Sequence, residues 1–493
     1  MTARTRILGL AGGLAVALAV AWAAQAQDGA EIVTQQYANG GVYEGTMKDG
    51  KPDGRGRYTL PNGYVYDGDW VDGERIGQGA ATFVDGSVYE GGFQDGKPQG
   101  KGQIALLDGS VIVGDWVDGA LNGTATATYA DGSVYQGSFV NNQRQGQGTL
   151  TRPDGYRYEG GWEAGQRSGE AVVTYPDGTV YKGKMRADKR NGAGTLTMTD
   201  GFGYDGDWLD DQMNGTGTVT YVNGDVYVGA LVNGQREGAG KMTYANGDVY
   251  EGAFQGDQRN GTGSFRGTDG YVYDGEWADG KHQGKGRLQY PDGSVYDGTF
   301  ADNLPDGEGQ ITYPGGDSYA GQWQNGVISG TGTSKRADGV VYEGEFLDGH
   351  QNGTGVMTAP DGYRYEGTWS MGVRSGEGKE HYADGTTYEG GFVDDAHSGR
   401  GTYTAPDGTK YEGDWVDGAI TGKGEVSYPT GDVYVGDFVD GTREGQGTLT
   451  YATGEVQSGD WKNGVLVNKT APDAEPESTP RTDPGPAVPA AAE

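Results

Sequence analysis

The chain has 493 residues, of which 98 are Gly, 17 are Pro and none is Cys, and its formal net charge is -33. Hydrophobic residues make up 34% and the mean hydropathy is -0.68, which leaves too little aliphatic material for packed helical bundles or wide parallel α/β sheets. The negative charge repels phosphate backbones and anionic headgroups, so we expect neither nucleic acid nor anionic lipid as a partner.

The N-terminus has the organisation of a secretory signal peptide over residues 1–26. A basic start is followed by an apolar run from Ile7 to Ala24 and by an A-x-A site that ends at Ala26. We expect cleavage between Ala26 and Gln27, and export to the bacterial periplasm, the cell surface or the medium. The alternative is an uncleaved single-pass anchor, because a run of this length just spans a bilayer.

A Tyr-x-Gly-x-aromatic motif recurs every 23 residues from Tyr43 to Gln457, which gives 19 copies without insertion or deletion. Each copy has one turn signal before the Tyr, such as Asn62-Gly63, and one after the aromatic residue, such as Asp72-Gly73. Both suit tight hairpin turns with positive φ. The segments between them, about 6 to 8 residues long, have strand length. One repeat is therefore predicted to be one β-hairpin, and successive hairpins continue an antiparallel meander.

The array also contains a longer duplication. Residues 223–247 match residues 430–454 at an offset of 207, which is nine repeats. Tyr64 and Tyr156 likewise recur as Tyr271 and Tyr363. We interpret this as tandem duplication of a nine-repeat block, which explains why the Trp/Phe alternation of the aromatic position slips once.

Alternation along the strands assigns two faces. Tyr66, Gly68 and Trp70 share one face, and Val65, Asp67 and Asp69 share the other. The second strand places four residues on the aromatic face: Gly100, Gly102, Ile104 and Leu106. We predict that Tyr and Trp rings lie over neighbouring glycines, so that rings burying roughly 150–250 Å² each form a thin core on a single sheet.

The run Tyr66-Asp-Gly68-Asp-Trp70-Val-Asp72-Gly73, followed by Gly77-Gln-Gly79 and then Asp85-Gly86-Ser-Val-Tyr89, resembles the MORN repeat (membrane occupation and recognition nexus). The resemblance covers almost all of the mature chain and implies an all-β fold: an elongated, twisted, solenoid-like, single-layer antiparallel sheet of tandem 23-residue β-hairpins. It also implies use as a scaffold or attachment module, often self-associating. The departures from the motif are Ile112 for the Tyr, Ala125 and Ala171 for the second Gly of G-x-G, Met47, Met185 and Leu231 for the aromatic, and Gln457 in the last copy.

The predicted organisation has four parts: a signal peptide at 1–26, a lead-in at 27–36, the repeat array at 37–464, and a disordered Pro/Ala/acidic tail at 465–493. We therefore expect no further domain of the kind beside which the resemblance implies that MORN repeats occur, such as a lipid kinase or a methyltransferase.

The residues give little basis for chemistry. His282, His350, His381 and His397 are placed in turns or near strand ends, as surface polar residues without a metal-like pair. The absence of Cys excludes thiol catalysis, and nothing assembles a nucleophile, a base and an oxyanion donor. We therefore predict no enzyme activity, no catalytic residues, no cofactor and no metal site.

Three functions remain, in order of preference. The first is an exported, non-catalytic scaffold or protein-interaction rod that forms a homodimer through a sheet end or the aromatic face. The second is a cell-envelope binder of polysaccharide or choline-like ligands through exposed aromatic rows. The third is membrane lipid attachment. The candidate partner or ligand contacts are Tyr66, Trp70, Tyr158, Trp162, Tyr273, Trp277, Tyr365 and Trp369.

Overall fold

The computed structural model describes residues 31–469, and every regular element in this range is a β-strand. The chain divides into two compact units, Met1–Thr199 and Asp200–Glu493. The strands of the first unit are β1 Val33–Gln36, β2 Val42–Lys48, β3 Lys51–Thr59, β4 Val65–Val71, β5 Glu74–Thr82, β6 Val88–Gln94, β7 Lys97–Ala105, β8 Val111–Val117, β9 Ala120–Thr128, β10 Val134–Val140, β11 Gln143–Thr151, β12 Arg157–Glu163, β13 Gln166–Thr174, β14 Val180–Arg186 and β15 Lys189–Thr197.

The strands of the second unit are β16 Gly203–Leu209, β17 Gln212–Thr220, β18 Val226–Val232, β19 Gln235–Thr243, β20 Val249–Gln255, β21 Gln258–Arg266, β22 Val272–Ala278, β23 Lys281–Gln289, β24 Val295–Ala301, β25 Leu304–Thr312, β26 Ser318–Gln324, β27 Val327–Lys335, β28 Val341–Leu347, β29 His350–Thr358, β30 Arg364–Ser370, β31 Val373–His381, β32 Thr387–Val393, β33 Ala396–Thr404, β34 Lys410–Val416, β35 Ala419–Ser427, β36 Val433–Val439, β37 Thr442–Thr450, β38 Val456–Lys462 and β39 Val465–Lys469.

Within each unit the strands pair antiparallel with their neighbours in the chain. In the first unit β6 pairs with β5 and with β7; in the second, β34 pairs with β33 and with β35. The repeats from β2–β3 to β36–β37 each contribute a seven-residue strand and a nine-residue strand, as in β6 and β7, and the last hairpin has strands of seven and five residues. The predicted all-β, antiparallel fold of tandem 23-residue hairpins is therefore confirmed.

The two turns of a repeat differ in type. Asp72 and Gly73 both have positive φ, at 53° and 89°, which is the conformation of a two-residue type I′ hairpin. In the other turn only Gly63 has positive φ, at 94°. There the amide of Leu60 donates to the carbonyl of Tyr64 at 2.8 Å, and that of Gly63 donates to the carbonyl of Leu60 at 3.1 Å. This second turn is a three-residue loop that ends in a left-handed glycine.

A β-bulge follows the repeat glycine of the first strand. In the β6–β7 pair Gly91 lies opposite Gly102, and the register then shifts so that Phe93 lies opposite Pro98. The first glycine of each G-x-G pair serves this irregular backbone: Gly100 has φ +74°, and a Cβ added there would meet nothing within 4 Å. The face assignment predicts that Gly100 is a gap beneath a ring, and this prediction is wrong. Gly100 is instead a position that needs a left-handed conformation.

The paired strands continue beyond the predicted array of 37–464 at both ends. β1 pairs with β2, and β39 pairs with β38, so residues 465–469 of the predicted tail are part of the last hairpin. The signal peptide, the cleavage residues Ala26 and Gln27, and residues 470–493 of the tail lie outside the described residues. From residue 31 to residue 469, no helix is long and apolar enough to cross a membrane.

Candidate functional site

The repeat tyrosine is the centre of each hairpin, and it packs on a glycine of the same hairpin. Tyr89 has no exposed surface, and its ring lies on Gly102, thirteen residues later. A Cβ added to Gly102 would lie 2.2 Å from Tyr89 Oη and 2.5 Å from Cζ. The predicted placement of tyrosine rings over glycines is thus confirmed, and it explains why the second glycine of G-x-G is kept in most repeats.

The buried phenol groups are hydrogen-bonded to the backbone. Tyr89 Oη donates to the carbonyl of Gly92 at 3.1 Å, and Tyr411 Oη donates to that of Asp414 at 2.9 Å. Burial raises the pKa of Tyr89 to about 12, so the hydroxyl keeps its proton at neutral pH. These phenols are structural donors, and none of them is poised for proton transfer.

The fifth residue of the motif packs edge-to-face between successive tyrosines. The Trp70 ring lies 5.3 Å from that of Tyr43 and 5.4 Å from that of Tyr66, which is the preferred geometry for aromatic pairs. Its Nε1 donates to the carbonyl of Gly56 at 2.9 Å. The predicted placement over glycine therefore holds for the tyrosines, whereas Trp70 packs between tyrosine rings and bonds a glycine carbonyl.

A residue nine positions after each tyrosine covers the other side of the tyrosine ring; we call it the lid residue. His282 stacks on Tyr273 with centroids 3.6 Å apart and planes at 11°. In other repeats a guanidinium takes this place, as for Arg75, whose Cζ lies 5.7 Å from the Tyr66 centroid. Arginine is the lid at eight positions: 75, 144, 167, 190, 236, 259, 374 and 443. Seven of these tyrosines are enclosed by a glycine on one side and a cation on the other, and Tyr158 has Ala171 in place of the glycine.

The eight predicted contact residues are all buried. Their exposed fractions range from 0% to 7%, and the residues are Tyr66, Trp70, Tyr158, Trp162, Tyr273, Trp277, Tyr365 and Trp369. Neighbouring rings, glycines and lid residues cover their faces, so a ligand would reach them only if those neighbours moved.

The prediction that all four histidines are surface residues is wrong for two of them. His350 and His381 are exposed, whereas His282 and His397 are 6% and 4% exposed. Both are lid residues, and an imidazole ring fits this position because it can stack on the tyrosine below. Burial and the charge of Arg259 lower the pKa of His282 to about 4.

Glu380 is a carboxylate in the core with no exposed surface. It accepts hydrogen bonds from Tyr363 Oη at 2.5 Å, from Tyr382 Oη at 2.7 Å and from Arg374. Its Oε2 lies 2.7 Å from His397 Nε2. Among the residues that the structure describes it is the one buried carboxylate, and nothing in the sequence pattern predicted it.

The opposite face of the sheet carries charged side chains in solvent. Lys101 and Asp115 approach to 2.6 Å, and Lys423 and Asp437 to 2.9 Å, each pair on adjacent strands. Exposed pairs of this kind contribute about 0–1 kcal/mol. Nowhere in 31–469 do three or more His, Asp or Glu side chains form a group that could hold a metal ion.

Solved structures that share a likeness with this chain do so at low overall similarity. The TCP10 domain of Danio rerio CPAP, in complex with a peptide of Danio rerio STIL, is 16% identical, with 55% of this chain and 98% of that chain covered and a TM-score of 0.16. The SAS-4 TCP domain of Drosophila melanogaster, in complex with a proline-rich motif of Ana2, is 12% identical over 45% and 90% of the two chains, with a TM-score of 0.18. A virginiamycin B lyase from Staphylococcus aureus is 10% identical over 63% and 93%, with a TM-score of 0.11. At these scores none of the three bears on function.

No curated protein matches the chain. The family model of the MORN repeat does match, at 18 tandem stretches that begin at Tyr43 and end at Val456. The nineteenth copy, which begins at Gln457, lacks the tyrosine and is not among the matched stretches, although β38 and β39 form its hairpin. Since these matches cover most of the sequence, the chain belongs to the MORN repeat family.

Proposed function

We propose that this MORN repeat protein is a non-catalytic scaffold that binds a protein partner through the exposed face of its sheet, in the exported compartment. The observation that carries the proposal is the difference between the two faces of the sheet: one forms the core and the other is exposed to solvent. The aromatic rings, their glycines and their lid residues are enclosed and hydrogen-bonded, as Tyr89 is. The opposite face presents polar side chains at a fixed interval of two strands, about 9.6 Å.

Four successive repeats of the second unit place a carboxylate at the same position of this face. The first residue after the repeat tyrosine is an exposed glutamate in each of them; these residues, which we call the acidic row, are Glu343, Glu366, Glu389 and Glu412. Three of them have an exposed cation nearby, as for Lys379 and Glu389 at 3.0 Å, and such pairs exchange readily with solvent. A partner of complementary charge, a protein with a basic surface, suits this row.

The test is capture of envelope proteins by the full chain and by two variants of equal net charge. In one variant the acidic row is changed from Glu to Gln. In the other, four turn aspartates of the same unit, Asp348, Asp394, Asp417 and Asp440, are changed to Asn, which tolerates their positive φ. We expect a captured basic protein to be lost with the row variant and kept with the turn variant, and its purified form to bind more weakly as salt rises. Equal capture by both variants would contradict the proposed surface.

Self-association and export belong to the same proposal. The edge strand β39 exposes Val465 and Val467, and pairing with a second copy would cover them. Light scattering combined with small-angle scattering should give twice the monomer mass, and a monomer mass at all concentrations would remove the homodimer. N-terminal sequencing of the protein from an envelope fraction should begin at Gln27; a sequence beginning at Met1 would favour the uncleaved anchor.

The two alternatives have direct tests. Stacking of sugars or choline-like ligands needs exposed rings, and the burial of all eight candidate residues counts against it. Tryptophan fluorescence should therefore be unchanged by cell-wall oligosaccharides and by choline. Attachment to anionic lipid would have to overcome the net charge of -33, so we expect no co-sedimentation with anionic liposomes at physiological salt.

A further inference from the structure

Glu380 occupies a position that other repeats use for their apolar core. It lies fifteen residues after Tyr365, and the corresponding residues elsewhere include Leu288, Ile311 and Val426, all buried. Its Cα faces those of Tyr365 on β30 and Tyr388 on β32. A carboxylate here is costly unless several donors satisfy it.

The duplicated block supplies the comparison, because each residue of this cluster has a counterpart 207 positions earlier. The tyrosine–arginine frame is the same in both copies: Arg167 donates to Tyr156 Oη at 2.7 Å, and Arg374 donates to Tyr363 Oη at 2.7 Å. Each arginine also pairs through Nε with the aspartate of the next turn, at 2.9 Å in both copies; these aspartates are Asp188 and Asp395.

Two of the core residues that differ between the copies touch each other in the later one. Val173 and Arg190 in the first block correspond to Glu380 and His397 in the second. Val173 is fully buried, as Glu380 is. An ionisable pair thus replaces an apolar residue and an arginine lid within the same tyrosine–arginine frame.

The donors around Glu380 favour its ionised form. Two phenols, a guanidinium and an imidazole all face its oxygens, and an ionised carboxylate accepts from all of them. His397 Nε2 therefore carries a hydrogen, and its Nδ1 is buried without a partner. Protonation of Glu380 would place a carboxylic O–H among groups that already donate hydrogen bonds to it. It would also remove the negative charge that Arg374 and His397 both contact.

We propose that Glu380 and His397 form an acid-sensitive latch that holds β31, β32 and β33 together while Glu380 is ionised and releases them when it is protonated. The latch spans three strands, because Glu380 lies on β31 and His397 on β33, with Tyr388 of β32 stacked beneath the imidazole at 3.6 Å. Tyr363 and Tyr382 join it from the turns that flank β30 and β31. As the pH falls, β31, β32 and β33 should therefore open before the equivalent strands of the first block, β13, β14 and β15, open.

The sign follows from the groups that face Glu380. Burial by itself raises the pKa of Glu380, but the hydrogen bonds from His397, Tyr363 and Tyr382 and the charge of Arg374 outweigh it, so the pKa is held below the ordinary value of 4.5. The other charged groups nearby are Asp395, which shares Arg374, and Glu377 on β31 beside Tyr388. The stabilisation is therefore present above pH 4.5 and is lost as pH falls through the lower, folded-state pKa, by at most tenfold in the opening equilibrium per pH unit.

The test is hydrogen exchange of the full chain between pH 7 and pH 3, read as the ratio of protection in β31–β32 to protection in β13–β14 of the same sample. This ratio cancels the intrinsic pH dependence of exchange and the titration of carboxylates common to both blocks, such as Asp188 and Asp395. We expect the ratio to fall by up to tenfold per pH unit below pH 4.5. A ratio that stays constant would overturn the latch.

Two variants secure the interpretation. The double variant Glu380→Val with His397→Arg restores the first block's residues at these two positions and should abolish the fall in the ratio. Glu380→Gln keeps the shape but cannot ionise, so it should show at pH 7 the low ratio that the unmodified chain shows in acid. A fall in the ratio that persists in Glu380→Gln would also overturn the proposal, whether or not the double variant folds.

Discussion

The tyrosine–glycine contact can be tested at Gly102. A Cβ there would lie 2.2 Å from Tyr89 Oη, whereas real Cβ atoms essentially never approach within 3.0 Å, so the ring must move by at least the difference. Gly102 has no positive φ, and the substitution therefore adds no backbone strain. Overpacking of this kind costs about 1–3 kcal/mol. Tyr158 stays fully buried above Ala171, so we expect Gly102→Ala to destabilise its hairpin by that amount without unfolding the array.

The chain already contains the compensating pair. In the fourth repeat Ile112 replaces the tyrosine and Ala125 replaces the glycine. Tyr89→Ile alone should leave a cavity over Gly102 and destabilise the hairpin. Tyr89→Ile combined with Gly102→Ala reproduces the natural pair, and it should cost at least 0.5 kcal/mol less than the sum of the two single changes, as is typical of residues in contact (about 0.5–3 kcal/mol).

Hydrogen exchange of peptides from β6 and β7 is the suitable assay, because a repeat array does not unfold as a two-state unit. A loss of about 1.4 kcal/mol lowers protection tenfold. Lys101→Ala, an exposed change on the same strand, serves as the control and should alter stability by less than about 0.5 kcal/mol. The reasoning is refuted if Gly102→Ala costs no more than Lys101→Ala, or if the double variant equals the sum of the single ones.

Two further predictions use the other groups that surround the tyrosines. Trp70→Phe should cost its hairpin about 0.5–1.5 kcal/mol more than Trp369→Phe costs its own, because Trp70 Nε1 donates to Gly56 whereas Trp369 Nε1 is buried without a partner; equal losses of exchange protection would contradict the role of the hydrogen bond. Burial and Arg259 lower the pKa of His282 from 6.5 to about 4, so stability should decrease as pH falls between these values, where only the unfolded imidazole takes up a proton. His282→Leu should weaken this dependence of stability on pH. An NMR titration midpoint of His282 near pH 6.5 would show that its pKa is not lowered and would contradict the prediction.

The sequence predicted the repeat, the hairpins and the buried tyrosines because each is encoded locally. Asp72-Gly73 specifies a turn in which both residues have positive φ, at 53° and 89°. Alternation along the strand then places Tyr66 inside and Asp67 in solvent, as observed. A fixed 23-residue period repeats these local signals without drift, so the copies together indicate the fold class.

The lid residue was missed, although alternation contains it. Counting back by two from Gly102 through Gly100 reaches Pro98, and the same count from Gly286 reaches His282. The position varies among proline, arginine, histidine, glutamine, methionine and aliphatic residues, so it has no motif. Polarity then misled the prediction for His282, since an imidazole or a guanidinium that stacks on a ring is satisfied there without being in solvent.

The duplication separates what the fold requires from what it leaves open. Both blocks keep the 23-residue hairpins and most of the tyrosines and glycines, with Ile112, Ala125 and Ala171 as exceptions in the first block, so a difference between equivalent exposed positions is not imposed by the fold. The counterparts of the acidic row in the first block are Gln136, Glu159, Lys182 and Asp205. They sum to one negative charge instead of four, although both sets occupy the same exposed place after the repeat tyrosine. Because packing explains neither set, a surface that distinguishes partners by charge is most economically sought in the second block, and the first block is its natural control.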